Sequence, residues 1–177
     1  MEDARDLSNL WWLLKERGVR LEGEESTAFR DVGVGGVRGV LASGWDDVHD
    51  TPIRVMAMRG KVNVAVMRHC FPTAEGGIAK GMTVVLVMDD EPSNHVRHHL
   101  AGVRSNILSW RAVRVARSQL QGVRIEKSKD LAKWARAQNM PRLLHGDPLC
   151  RTLGLVQGDV VSVLMPHDGR RAIKVVV

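Results

Sequence analysis

The sequence predicts a mixed α/β protein that ends in a short helix and a hairpin on a small half-buried sheet. Three observations carry this. Met82 to Met88 is a continuous apolar run bounded by turn residues, the signature of a strand buried on both faces of a covered sheet. Leu7, Leu10, Trp11 and Leu14 recur at helical spacing. From Asp147 to the end, glycine and proline punctuate two β-branched runs, Val160 to Met165 and Ala172 to Val177.

Taken in order, Asp6 to Arg17 reads as an amphipathic helix stopped by Gly18. Residues 22–50, rich in glycine and acids, read as irregular structure or a short hairpin. Ile53 to Met58 and Val62 to Met67 read as strands of a hairpin turned at Arg59-Gly60-Lys61. Cys70 to Lys80, with Pro72, Gly76 and Gly77, reads as loop or short helix. After the buried strand, Asp89 to Ser93 is a loop capping a helix from about Ser93 to Val103. Ala112 to Ala116 reads as a short strand, and Ser128 to Gln138 as a helix with Leu131, Trp134 and Ala135 on one face. Asp147 is a good N-cap, and Pro148 at the first helical position loses no hydrogen bond. Gly154 is placed to end the helix left-handed, and Gly158-Asp159 is a turn into the first C-terminal strand. Pro166 to Gly169 fits the β-turn between the two strands.

At 177 residues and 44% apolar composition, the chain is expected to be globular, with one or two domains. No apolar run approaches the roughly 18–20 residues of a membrane helix, and Met1-Glu-Asp-Ala-Arg-Asp6 is not a signal peptide. Cys70 and Cys150, far apart and outside any CxxC, fit a reducing intracellular compartment. Charge is uneven: residues 1–50 hold 6 basic and 11 acidic side chains, and residues 51–177 hold 20 and 9. A basic two-thirds suits a phosphate-rich neighbour, although an arginine-rich solvated surface has the same composition.

Several motifs invite sharper chemistry and do not sustain it. His95, His98 and His99 have helical i, i+3, i+4 spacing that suits a metal, but no acidic ligand shares the face, and solvent-facing histidines explain them. Gly33-x-Gly-Gly36 lacks the Lys-Ser/Thr of a phosphate loop. His145 precedes Cys150 without a supporting third group. The tryptophans Trp11, Trp12, Trp45, Trp110 and Trp134 read as packing residues rather than base-stacking platforms. No catalytic residue, metal or cofactor is expected.

The stretch Asn139 to Gly154, then Gly158 to Pro166 and Ala172 to Val177, resembles the C-terminal domain of the jaw subunit of cellular-type DNA-directed RNA polymerases. That family comprises the fifth subunit of the eukaryotic enzymes and its archaeal counterpart. The middle of the chain resembles the same family in its order of elements: Val84 to Met88, a loop with Pro92-Ser93, a helix, a strand and a second helix. The resemblance implies an α/β jaw domain with a nuclease-like fold over residues 1–110 and an α+β assembly domain over 111–177. It implies a non-catalytic subunit that docks on the largest polymerase subunit, among the other subunits, and helps position downstream double-stranded DNA. Residues near DNA would be Pro92, Ser93, Asn94 and Arg97. Docking residues would be Pro141, Asp147, Pro148, Arg151, Gly154, Gly158, Asp159 and Pro166. The compartment would be the nucleus or, for a viral copy, a cytoplasmic factory or virion.

Departures from the family pattern are concrete. Glu91 replaces the threonine of the Thr-Pro-Ser-Ala loop, Met165 and His167 flank Pro166 where arginine and serine are usual, and Thr152, Ile173 and Lys174 replace two tyrosines and an arginine. Arg114 to Leu120 is the nearest stretch to the family's His-x-Leu-Val-Pro-x-His run. They read as a divergent member, of the kind a large DNA virus encodes. Two other classes stay open. One is a free-standing basic nucleic-acid-binding protein. The other is a metal nuclease on the jaw fold, relying on Asp50 and Lys61, but Gly60 stands where its second carboxylate is needed.

Overall fold

The computed structural model describes residues 2–71, 81–126, 134, 140–165 and 169–177. Helix α1 (Glu2–Glu16) starts ahead of Asp6 and buries Leu7, Leu10, Trp11 and Leu14, the stripe the spacing requires. Gly18 ends it at φ +79°. Strands β1 (Val19–Leu21) and β2 (Arg30–Asp31) then lie along the same edge of β3 (Arg38–Asp46).

Within 22–50 the short-hairpin alternative is met by β2 and β3, which pair antiparallel, while the nine-residue β3 replaces the irregular structure that is the other expectation. The glycines of β3 are close-approach residues rather than turn markers. A Cβ on Gly44 would sit 2.3 Å from the Arg20 carbonyl oxygen, and one on Gly39 would sit 2.6 Å from Met58 Sδ. Glycine inside a strand permits such contacts. The expected hairpin is displaced in the same way: β4 (Thr51–Arg59) turns back on β3 through residues 47–50, with Asp46 opposite Thr51.

Val62 to Met67 is not a strand. Asn63 Oδ1 accepts hydrogen bonds from the backbone N–H groups of Ala65 (2.9 Å) and Val66 (3.0 Å), which starts helix α2 (Val64–Cys70). This cap outweighs the β-branched composition. Most of the expected loop from Cys70 to Lys80 lies outside the described residues.

Strand β5 (Thr83–Met88) is buried at every position, as the apolar run from Val84 to Met88 predicts. Ser93 Oγ caps α3 (Asn94–His99), which stops well short of Val103. Strand β6 (Arg104–Ser109) follows, in a stretch to which the sequence reading assigns no strand, and Ala112 to Ala116 falls in helix α4 (Trp110–Gln119) instead of a strand. Ser109 Oγ accepts from the Ala112 N–H, and Trp110, Val113 and Ala116 form the buried stripe of α4. The first sheet runs β1-β3-β4-β5-β6, antiparallel through β4 and parallel from β4 to β6.

The second sheet contains β7 (Val123–Glu126), β8 (Arg142–Leu143), β9 (Val160–Leu164) and β10 (Arg171–Val176), in the order β7-β9-β10-β8. Helix α5 (Pro148–Leu153) precedes β9 and has the expected caps: Asp147 accepts from the Leu149 N–H at 2.8 Å, and Gly154 closes it at φ +65°. β9 and β10 pair as the predicted antiparallel hairpin. Its turn at 166–168 and the helix expected at 128–138, apart from Trp134, lie outside the described residues.

The first sheet ends at Ser109 and the second begins at Val123, with α4 between them packed on α1. One buried cluster joins Leu7, Leu13 and Val85 to Leu153, Val161 and Val176. The two lobes therefore share a core. Among the described residues, no helix is long and apolar enough to cross a membrane.

Candidate nucleic-acid interface and the seam between the lobes

The loop expected near DNA leaves the C-terminal end of β5, where a parallel sheet presents its ligand-facing loops. Pro92 is buried, so it shapes the loop and offers no surface. Ser93 and Asn94 are exposed, but the Ser93 hydroxyl accepts from the Val96 N–H at 3.4 Å. Arg97 folds back on its own loop, with Nη2 3.0 Å from Glu91 Oε2 and Nε donating to the Pro92 carbonyl at 3.3 Å. The pair is exposed on both sides, so it is weak and readily exchanged for a phosphate. The structure thus brings Ser93, Asn94 and Arg97 together, beside a carboxylate that competes for the arginine.

Behind this loop lies a buried ionic cluster that sequence reasoning missed. Asp6, 1% exposed, takes hydrogen bonds from Arg114 Nε and Nη2 at 2.9 and 2.7 Å and from Arg59 Nη2. Burial alone would raise its carboxyl, but the Arg114 bonds and both guanidinium charges hold it below the usual carboxylate range. Arg59 also reaches Asp89 at 2.6 Å and stacks on Trp110, 4.4 Å from the ring centre. The Arg59-Gly60-Lys61 stretch marks this cluster, not a nuclease centre. Asp50 and Lys61 flank opposite ends of the nine-residue β4, roughly 30 Å apart at ~3.3 Å per residue.

Two of the expected docking residues, Asp159 and Gly154, face inward, onto a polar seam. Asp159 Oδ2 receives His49 Nε2 at 2.9 Å and the Val156 N–H at 2.8 Å, while His49 Nδ1 lies 2.7 Å from Asp46 Oδ2. Burial alone would lower the His49 pKa; the bonds to Asp159 and Asp46 overcome it and raise it to about 8. Asp46 is held below its ordinary range, burial opposing the hydrogen bond and charge of His49. Beside them, Arg17 donates to Asn106 Oδ1 at 2.8 Å, and Asn106 donates to the Arg151 carbonyl at 2.8 Å. Burial and the neighbouring Arg104 pull the Arg17 guanidinium down to about 10 against the attraction of Asp46. Arg104 donates to the Gly154 carbonyl at 3.3 Å. A Cβ on Gly154 would lie 2.0 Å from Arg17 Nη2, so this glycine serves both the left-handed cap and the seam.

Gly158 supplies a turn at φ +96°. Pro141, Pro148 and the side chain of Arg151 face outward, while Pro166 lies outside the described residues. Asp147 is committed to capping α5.

The remaining motifs separate. His95 and His98 are exposed on α3, and His99 Nε2 is 2.9 Å from the Phe71 carbonyl oxygen. Cys150 donates to the Leu144 carbonyl at 3.3 Å, and burial, with Asp147 and Asp159 nearby, pushes its thiol up to about 11. His145 is exposed and Cys150 buried. Among the described residues, no three His, Cys, Asp or Glu side chains group as a metal site.

Positive charge without an ion pair among the described residues lies on both lobes, at the exposed Arg5, Arg30, Lys61 and Arg68 of the first and on α4 and the second. Arg111, Arg124, Arg142 and Arg151 are exposed and make no ion pair among the described residues. Comparison with models of known protein families finds no match, and neither does comparison with curated protein sequences.

Proposed function

We propose that this chain is a non-catalytic subunit of a multisubunit DNA-directed RNA polymerase, working inside the cell in a nucleus, a viral factory or a virion. It docks on the largest subunit through the second lobe and helps hold downstream DNA. The observation that supports the reading is the capped helix Pro148–Leu153 followed by the antiparallel β9–β10 pair, in the stretch whose sequence carries the resemblance. The seam adds to it, because a docking lobe tied to the first sheet can position what that sheet carries. Nucleotide addition belongs to other subunits, and this chain supplies geometry and sequence-independent phosphate attraction.

A second reading, a free-standing nucleic-acid binder, is favoured by the unpaired arginines of the second lobe. Duplex binding by the isolated chain, measured against salt, separates the loop from that lobe. If the loop faces DNA, Glu91→Gln frees Arg97 and tightens binding by roughly two- to fivefold, about 0.5–1 kcal/mol, and Arg97→Gln weakens it. Indifference to both, with loss on Arg124→Gln and Arg142→Gln, places DNA on the second lobe and contradicts the jaw assignment.

A further inference from the structure

The outer face of β3 and β4 beside the C-terminal end of α2 carries a cleft of about 590 Å³, within the range of small-molecule sites. Arg30, Arg54 and His69 line it, and Leu41, 41% exposed, supplies an apolar surface. Arg54 is half-buried, yet its hydrogen bond goes to a hydroxyl, Ser43 Oγ at 2.7 Å, and it has no ion pair among the described residues. The other half-buried arginine on this strand, Arg59, is bonded to two carboxylates. A guanidinium withdrawn from water without a counter-ion favours an incoming anion. Asp31 is the acid in the wall, and its Oδ1 accepts the Gly33 N–H at 2.8 Å.

An adjoining cleft of about 290 Å³ shares Val40, Leu41 and Arg54 but is lined by Glu22, Glu24 and Glu25. Those carboxylates repel a second negative group. The combination selects one anionic head and a neutral, partly apolar body, and disfavours polyphosphates and the repeating charge of a nucleic-acid strand.

We propose that this cleft binds a small organic phosphate monoester, its phosphate held by Arg54, Arg30 and His69 and its body resting on Leu41. The cleft's lining residues come from β2 and its flanks, β3, β4 and α2, away from the Ser93 loop in sequence.

Calorimetric titration of the full chain with phenyl phosphate tests it, with inorganic phosphate and a duplex oligonucleotide as comparators. The expected result is saturable 1:1 binding, stronger than for inorganic phosphate and not displaced by the duplex. Arg54→Gln should weaken it about tenfold or more, the usual scale for a charge-assisted hydrogen bond. The exposed Arg30→Gln, which leaves the packing intact, should weaken it severalfold, and Arg124→Gln on the other lobe should leave it unchanged. Absence of saturable binding, equal loss in Arg124→Gln, or wild-type affinity in both Arg54→Gln and Arg30→Gln would overturn the proposal.

Discussion

Asp6→Ala should destabilise the protein by about 3–5 kcal/mol, the cost of removing one partner from a buried ionic group. The carboxylate is 1% exposed and bonded by Arg59 and Arg114. Its loss leaves Arg59, whose side chain is 12% exposed and lies against Phe29 and Trp110, with Asp89 and Asp3 as its remaining carboxylates. Asp89 and Asp3 are half-exposed and cannot replace a buried counter-charge. Asp6→Asn keeps the volume and some hydrogen bonds and should fall between. Asp3→Ala should cost under about 1 kcal/mol. Urea midpoints for the three variants check the order. Equal midpoints for Asp6→Ala and Asp3→Ala would show that the cluster is not a structural anchor.

The second large effect concerns pH. His49 meets a carboxylate at each ring nitrogen, and only the imidazolium can donate to both. Its folded pKa of about 8 lies above the unfolded value near 6.5. The stabilisation is therefore fully present below about pH 6.5 and lost as pH rises through about 8, on the order of 2 kcal/mol in all. Asp6 and Asp46, held low when folded, act in the opposite direction. They stabilise above the ordinary carboxylate range, and that contribution is lost as pH falls through their folded values. Stability should peak between these limits. In His49→Gln, the decline between pH 6.5 and 8.5 should flatten, and stability at pH 6 should fall by about 1–3 kcal/mol. Equilibrium unfolding across that pH range reads both. An unchanged alkaline slope in His49→Gln would remove His49 as its cause.

How much was legible in the sequence depended on where the stabilising information sits. The Asp147-Pro148…Gly154 helix and the β9–β10 hairpin were legible because caps and turns are written locally. β5 was legible because burial on both faces leaves no charged position, Thr83 being its one polar residue. Val62 to Met67 misled because a single residue, Asn63, decides between helix and strand. Ala112 to Ala116 misled similarly, because Ser109 starts a helix whose apolar stripe is interrupted by arginines. In β3, Gly39 and Gly44 look like turn residues until their neighbours are in place. The ionic cluster was invisible because Asp6, Arg59 and Arg114 come from three distant segments. For the same reason Gly154 and Asp159, expected on a partner-facing surface, are used by the chain itself against Arg17 and His49. Of the residues expected near DNA, Ser93, Asn94 and Arg97 are exposed and Pro92 is buried, while the competition from Glu91 follows from the replacement already visible in the loop.

Assembly into a polymerase is the central claim, and affinity purification of the tagged chain from its native source at moderate salt tests it most directly. The predicted result is stoichiometric recovery of two very large polymerase subunits, reduced when Asp147→Ala and Pro148→Ala together weaken the start of α5. Recovery of the chain alone, or with nucleic acid only, would contradict it.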